Sequence, residues 1–355
     1  MSAIILVINP GSTSTKIGVF EDQKELFTES VVHSAEELAR FQTIASQYEF
    51  REKHIRDALA KRGFDQKRLS AVVGRGGLLR PIPGGVYRVS EVMVADLLAA
   101  KYGEHASNLG ALIADRLGKE LGIPAFIADP VVVDELSDVA RVSGHKLFSR
   151  ISIFHALNQK AVARRWCREH GKNYEDASII VAHMGGGVSV GLHKKGRVVD
   201  VNNALNGEGP FSPERSGTLP TLALVKLCFS GKYTEKEIAK MIAGQGGLVS
   251  FMGSNDMRVA ENAHRAGDKE GTLYYEAFIY QVGKSIGALA AAARSKIDAI
   301  ILTGGIAYGK EVAQGLSEMC GFIAPVVAYP GEGELEALAM AGTGALSGDA
   351  KIQEY

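Results

Sequence analysis

The feature that most constrains this fold is a pattern that occurs twice. Ile4, Ile5, Leu6, Val7 and Ile8 form a run that is β-branched apart from Leu6. It reads as a strand buried on both faces. A turn carrying Asn9, Gly11, Ser12, Ser14 and Lys16 follows, and residues 17–20 return as its hairpin partner, with a third strand over 25–32. The pattern recurs as a strand over 178–183, a turn of Met184, Gly185, Gly186, Gly187, Val188 and Ser189, a returning strand over 190–193 and a third over 197–202. Aligning Gly11 with Gly185 sets the copies 174 residues apart. Strand, small-residue turn, strand, charged turn, strand, repeated at that spacing, reads as a duplicated domain. The first turn suits phosphate oxygens. Glycine lets the backbone approach closely, hydroxyls and backbone N–H groups donate, and Lys16 adds a charge.

The remaining segments alternate between periods. Ser34-x-x-Glu37 is a capping-box pattern that opens a helical stretch running, with room for a break, to about Lys61. A short strand over 69–73 empties into Gly74-Arg75-Gly76-Gly77. Helices are expected over 90–100 and 108–121, and a strand over 124–128 that ends at Asp129-Pro130. Beyond a polar joint at 144–150, helices are expected over 151–170, 219–229, 234–242, 255–264 and 268–296. The last has a rough apolar stripe of Leu273, Ala277, Tyr280, Ile286 and Leu289. A strand over 299–302 runs into Thr303-Gly304-Gly305. A helix over 310–319, a strand over 326–328 and a helix over 333–346 complete the chain. Such alternation is that of an α/β protein, and three consecutive strands at the front of each copy make the sheets mixed rather than purely parallel.

Composition narrows the function classes. With 355 residues the chain is long enough for two cores. Forty Lys plus Arg balance forty Asp plus Glu, so no long-range field favours nucleic acid or an anionic membrane. Cys167, Cys228 and Cys320 are far apart and form no C-x-x-C pair, which fits a reducing compartment. The front apolar run lacks a basic lead and ends at Asn9-Pro10, unlike a secretory signal. A soluble cytoplasmic protein is expected.

The familiar nucleotide fingerprints are missing. No G-x-G-x-x-G occurs. Gly304 to Lys310 fits the first seven positions of a P-loop, but Glu311 stands where Ser or Thr would hold magnesium. The alternative is that Thr303-Gly304-Gly305 approaches a nucleotide at the carboxyl end of a strand. The loop over 206–217 is rich in Gly, Pro and Ser and is a candidate functional loop.

Taken together, Asn9-x-Gly-Ser-x-Ser-x-Lys16, the second glycine turn and the Thr-Gly-Gly turn resemble the actin, sugar-kinase and Hsp70 superfamily. More narrowly, the segment from Ile8 to Lys16 and Pro210-Phe211-Ser212-Pro213-Glu214-Arg215-Ser216-Gly217 resemble the acetate and butyrate kinase family. The latter segment and Pro330-Gly331-Glu332-Gly333-Glu334-Leu335-Glu336 look like its butyrate kinase branch. The resemblance covers essentially the whole chain. It implies two ribonuclease H-like (actin-like ATPase) domains with mixed five-stranded sheets, spanning 1–148 and 149–333, an active-site cleft between them, and a closing helix over 334–355 packed on the first. It implies ATP/ADP and Mg²⁺, a short-chain carboxylic acid as the other substrate, and at least a homodimer.

Residue by residue, the resemblance makes Asn9 the magnesium-side asparagine, with Glu334 the chosen carboxylate although Glu336 alternates with it. Ser12, Ser14 and Lys16 match the first phosphate turn, and His183, Gly185, Gly186 and Gly187 the second. Arg75 matches the arginine facing the acyl substrate, Arg215 the second catalytic arginine, Asp129 the active-site aspartate and His155 the histidine near the transferred phosphoryl. Asp256, Arg258, Gly304 and Gly305 match segments that contact adenosine, and Gly77, His105 and Pro210 are candidates for the acyl site. Gly77 stands where acetate kinases carry a valine, which is expected to open room for a chain longer than acetate, each buried CH₂ adding ~0.8 kcal/mol. Gln159 stands where acetate kinases have a second histidine, a position read as dispensable for the chemistry.

A carboxylic acid acceptor is already an anion at neutral pH. No general base is needed, and Asp129 is not expected to act as one. The difficulty is charge repulsion between carboxylate and γ-phosphate, so the expected device is a cationic clamp of Arg75, Arg215 and His155 for direct in-line transfer. Other small acids (acetate, propionate, isobutyrate) and a nucleotide-binding regulator or ATPase are the competing expectations.

Overall fold

The computed structural model describes residues 2–355. Contacts divide the chain into two units: residues up to Asp134 together with Gly333–Tyr355, and Glu135–Glu332. This division lies earlier than the junction expected at 148/149. The closing helix Glu334–Ser347 belongs with the first unit.

Among the described residues of the first unit, β1 (Ile4–Pro10), β2 (Ser14–Glu21), β3 (Lys24–Val32), β4 (Ala71–Arg75), β5 (Val86–Arg88), β6 (Ala125–Ala128) and the short strand Ile352–Gln353 form one seven-stranded sheet. The order is Ile352–Gln353, β5, β6, β4, β1, β2, β3. β1 runs antiparallel to β2 and parallel to β4, and β4 parallel to β6. The expected five strands are therefore a core to which two short strands are added at the β6 edge. Every residue of β1 is buried, as an unbroken apolar run requires of a strand covered on both faces. The helix Asn108–Leu121 presents Leu109, Leu112, Ile113 and Leu117 to this sheet and ends on Gly122 at φ 68°. It crosses β4 so closely that a Cβ on Gly74 would stand 2.1 Å from the Gly110 carbonyl oxygen.

In the second unit, β7 (Ser178–Met184), β8 (Val188–Lys194), β9 (Arg197–Val201), β10 (Ala299–Gly304) and β11 (Val326–Pro330) form a five-stranded sheet in the order β11, β10, β7, β8, β9. Hairpins and parallel neighbours repeat those of β3, β2, β1, β4 and β6. Both second strands also carry a register shift, at Val19/Phe20 and at Leu192/His193. Alternation along the strands separates two cores. Ile180, Ala182, Ile300 and Leu302 face the long helix Lys269–Ala293, whereas Ile179, Val181, Ala299 and Ile301 face Val162, Ala163, Trp166 and Cys167 of the helix Ala156–Glu169.

Two helix expectations change, and the break allowed after Ser34 is found. Lys269–Ala293 buries Tyr275, Phe278, Val282, Ile286 and Leu289, so the stripe is turned from the expected one, and Leu273 and Tyr280 are exposed. The capping box at Ser34 opens a helix of only four residues, Ala35–Leu38, and the next α-helix begins at Tyr48. The helix expected from 151 starts at Ala156, because His155 holds a non-helical backbone at its N-cap.

Candidate active site

The first unit brings Asn9, Arg75 and Glu334 together where β1 and β4 end. Asn9 Nδ2 donates to Glu334 Oε2 at 2.5 Å. Arg75 Nη1 donates to Asn9 Oδ1 and to Glu334 Oε2, each at 3.2 Å. Asn9 and Glu334 are buried, whereas Glu336 is exposed one helical step away. The helix phase thus turns Glu334, not Glu336, to Asn9. An amide oxygen and one carboxylate are hard donors of the kind magnesium accepts alongside substrate phosphates and water. Among the described residues no group of three or more His, Cys, Asp or Glu could hold an ion alone. The donor set fits a metal carried with a nucleotide rather than one caged by protein.

The turn after Asn9 is held from the protein side by Arg51, which the sequence did not single out. Its guanidinium is buried and donates to the carbonyls of Gly11 at 2.7 Å, Ser12 at 3.0 Å and Ser14 at 3.2 Å. Burial holds its pKa down at about 10, still fully charged at neutral pH. Within a trans peptide the C=O and N–H point opposite ways. With the Gly11 and Ser12 carbonyls drawn to Arg51, the amides of Ser12 and Thr13 point away from it, which is the arrangement an anion needs. Ser12 and Lys16 are exposed and Ser14 is half-buried along this turn.

Asp129 is buried with a left-handed backbone, φ 37°. Its Oδ1 accepts from Gly85 N at 2.8 Å, and its own N–H donates to the Gly85 carbonyl at 2.9 Å. Asp and Asn tolerate this region better than other side chains. Gly77 does not open the space expected of it. A Cβ there would stand 2.3 Å from Asn108 Oδ1 and 2.5 Å from Asn108 Cα. The missing side chain admits the start of the helix Asn108–Leu121, so Gly77 leaves no added room for a longer acyl chain. His105 is exposed, with Nδ1 2.7 Å from Ser107 Oγ.

The second unit groups most of its candidates around the turn that follows β7. A Cβ on Gly187 would lie 2.1 Å from Arg215 Nη1, so the Arg215 guanidinium lies across this turn because the side chain is absent. Arg215 Nη1 donates to the Ala204 carbonyl at 2.5 Å, and burial lowers its pKa, with Glu214 opposing. Ser212 ties the two segments together: its hydroxyl donates to the Gly186 carbonyl at 2.6 Å and accepts from Arg215 N at 3.1 Å. Pro210 is buried at the start of the same loop. His183 lies at the end of β7, and its ring stacks on His155 with centroids 3.8 Å apart and planes 11° apart.

A cavity of about 860 Å³ opens beside this turn, lined by Gly185, Gly186, Asp256, Arg258, Gly305 and Lys310 among others. Asp256 caps the helix Met257–Arg265 and pairs through both carboxylate oxygens with Arg258. Gly304 has φ 86°, and a Cβ there would meet the Met184 carbonyl oxygen at 2.3 Å, so only glycine fits. At Gly305 a Cβ would meet nothing within 4 Å. Glu311, the residue that breaks the P-loop pattern, accepts from Arg265 Nε at 2.8 Å. The cavity lies at the carboxyl ends of strands, where α/β folds take ligands.

These features are those of a two-unit phosphotransferase. The sequence pattern described as the Acetokinase family matches residues 141–320. The chain belongs to that family. It is 54% identical over 355 residues to a probable butyrate kinase of Clostridium botulinum (strain Alaska E43 / Type E3), covering all of both chains. It is also 54% identical over 351 residues to butyrate kinase 1 of Clostridium acetobutylicum, covering 99% of each. Among solved structures it resembles the acetate kinase of Porphyromonas gingivalis, at TM-score 0.76 and 18% identity, covering 97% of this chain and 100% of that one. That likeness is one of fold, the duplicated actin-like ATPase architecture.

Proposed function

We propose that this protein transfers the γ-phosphoryl group of ATP to the carboxylate of butyrate, reversibly, giving butyryl phosphate and ADP. What carries the reading is that each unit sets a guanidinium at its small-residue turn: Arg75 against Asn9 and Glu334, Arg215 across Gly187. The full-length relatives supply the acid, since Gly77 no longer argues for chain length. The cavity beside Gly185 and Gly305 takes the nucleotide, with Asp256 and Arg258 on the adenosine side. Asn9 and Glu334 would hold magnesium, which supplies charge neutralisation for the phosphates when bound. Arg75 orients the acid and offsets its charge, Arg215 offsets charge growing on the transferred group, and His155 donates to that group. Asp129 acts through backbone geometry, holding the segment at Gly85, and takes no proton. Cytoplasmic action as a homodimer or larger homo-oligomer is part of this reading; among the described residues no helix is long and apolar enough to cross a membrane.

The test is butyrate-dependent acyl phosphate formation, trapped as hydroxamate, in wild type and in Arg75→Ala and Arg215→Ala. Arginines that stabilise phosphoryl transfer contribute about 10³ to 10⁵ in rate. Each variant is expected to lose at least about a thousandfold in kcat/KM. Near-normal turnover in either refutes its role.

A further inference from the structure

Ser189 and Gln159 play no part in the reading above, yet both are fully buried beside His155. Gln159 stands on the helix Ala156–Glu169 and Ser189 on β8. Gln159 Nε2 donates to the Ser189 backbone carbonyl at 3.0 Å and to the Ser189 hydroxyl oxygen at 2.8 Å. A carbonyl only accepts, so the first contact fixes which end of the amide is nitrogen. Gln159 Oε1 therefore accepts from His193 Nε2, at 3.0 Å. His193 is neutral: burial first, then Lys160 and Arg164, holds its pKa well below the ordinary value. With Nε2 carrying the hydrogen, His193 Nδ1 accepts from the Tyr174 hydroxyl at 2.7 Å.

The direction of donation passes along this chain to its end. Ser189 Oγ receives the Gln159 N–H and keeps one hydrogen of its own; where that hydrogen is directed at His155 Nδ1, 2.9 Å away, this nitrogen accepts. A neutral His155 then carries its hydrogen on Nε2. The ring stacked on it is set the opposite way. Asn158 Nδ2 donates to the Glu332 carbonyl, so Asn158 Oδ1 accepts from His183 Nδ1 at 2.7 Å. Two imidazolium rings at the 3.8 Å stacking distance would repel, so the stack disfavours charging both.

We propose that Ser189, oriented by Gln159, is a positioning residue that fixes His155 as the Nε2–H tautomer, so that this nitrogen donates to the phosphoryl group. The proposal rests on the reading that His155 meets that group. It also gives Gln159 a use, where the sequence alone read its position as dispensable.

The experiment uses the full-length protein with ¹⁵N-labelled histidine and long-range ¹H–¹⁵N NMR, the His155 signals being assigned by their loss in His155→Ala. The wild type is expected to show a protonated Nε2 and an unprotonated Nδ1 on His155. Ser189→Ala is expected to lose that fixed pattern and to lower kcat about 10- to 100-fold, as outer partners of histidine do at metal sites. KM for ATP stays unchanged, Ser189→Thr restores both readouts, and Ser189→Ala adds nothing in a His155→Ala background. A wild-type His155 protonated on Nδ1, or an unchanged pattern in Ser189→Ala, overturns the proposal. Full turnover in His155→Ala overturns instead the role given to His155, and is told apart because the tautomer pattern is read independently.

Discussion

Arg51 shows how a residue with no motif governs one that has it. Asn9, Arg75, Glu334 and Arg215 stand inside recognisable segments, so their grouping within each unit was legible. Arg51 sits in an ordinary helical stretch, and nothing in its neighbours announces that its guanidinium gathers three carbonyls of the first turn. Its buried charge also reaches His33, which contacts Thr15 Oγ1 at 2.9 Å. Burial first, then Arg51 and His54, hold the His33 pKa down at about 4, with Glu37 opposing. An unfolded chain protonates this histidine near its ordinary value of 6.5. Between those values the unfolded state binds more protons, so this stability is intact above pH 6.5 and lost as pH falls toward 4. Between pH 7 and pH 5 the loss should be about 2 kcal/mol. Urea unfolding at the two pH values should show a smaller difference in His33→Gln than in wild type. Equal differences would show that His33 is not the acid-sensitive group.

Elements were legible where a period had room to show. The five strands of each repeated core were read correctly from apolar runs and small-residue turns. The two added strands of the first sheet, Val86–Arg88 and Ile352–Gln353, are too short for alternation to register. The phase of Lys269–Ala293 was missed because apolar residues lie on several faces of that helix and only contact with β7 and β8 selects one. Helix-to-strand packing also sets the site. A Cβ on Gly110 would lie 2.3 Å from the Arg75 carbonyl oxygen and 2.8 Å from Arg75 N. Gly110→Ala should therefore push the helix Asn108–Leu121 off β4, cost about 1–3 kcal/mol in urea unfolding, and lower turnover by moving Arg75. Unchanged stability would mean that the helix and β4 part without cost. Gly77 teaches the same lesson: the sequence showed a missing side chain, but only the neighbouring helix shows what fills the space.

At the scale of the whole molecule, the duplication gave the five-stranded cores of both units the same strand order. The first carries the Asn9, Arg75 and Glu334 group, and the second carries the cavity. Gly305 offers a clean probe of that cavity, since a Cβ there meets no atom within 4 Å and no positive φ opposes it. ADP at a hundred times its Kd should stabilise wild type by about 2.7 kcal/mol. Gly305→Val should keep the melting temperature of the ligand-free protein and lose the ADP-induced rise. An equal rise in both proteins would place the nucleotide elsewhere. The most direct test of the central claim measures ADP and trapped acyl hydroxamate together, in Mg-ATP with and without butyrate. The account predicts equal amounts of both products with butyrate and almost none of either without it. ADP released at the same rate whether or not the acid is present, with no hydroxamate, would contradict it.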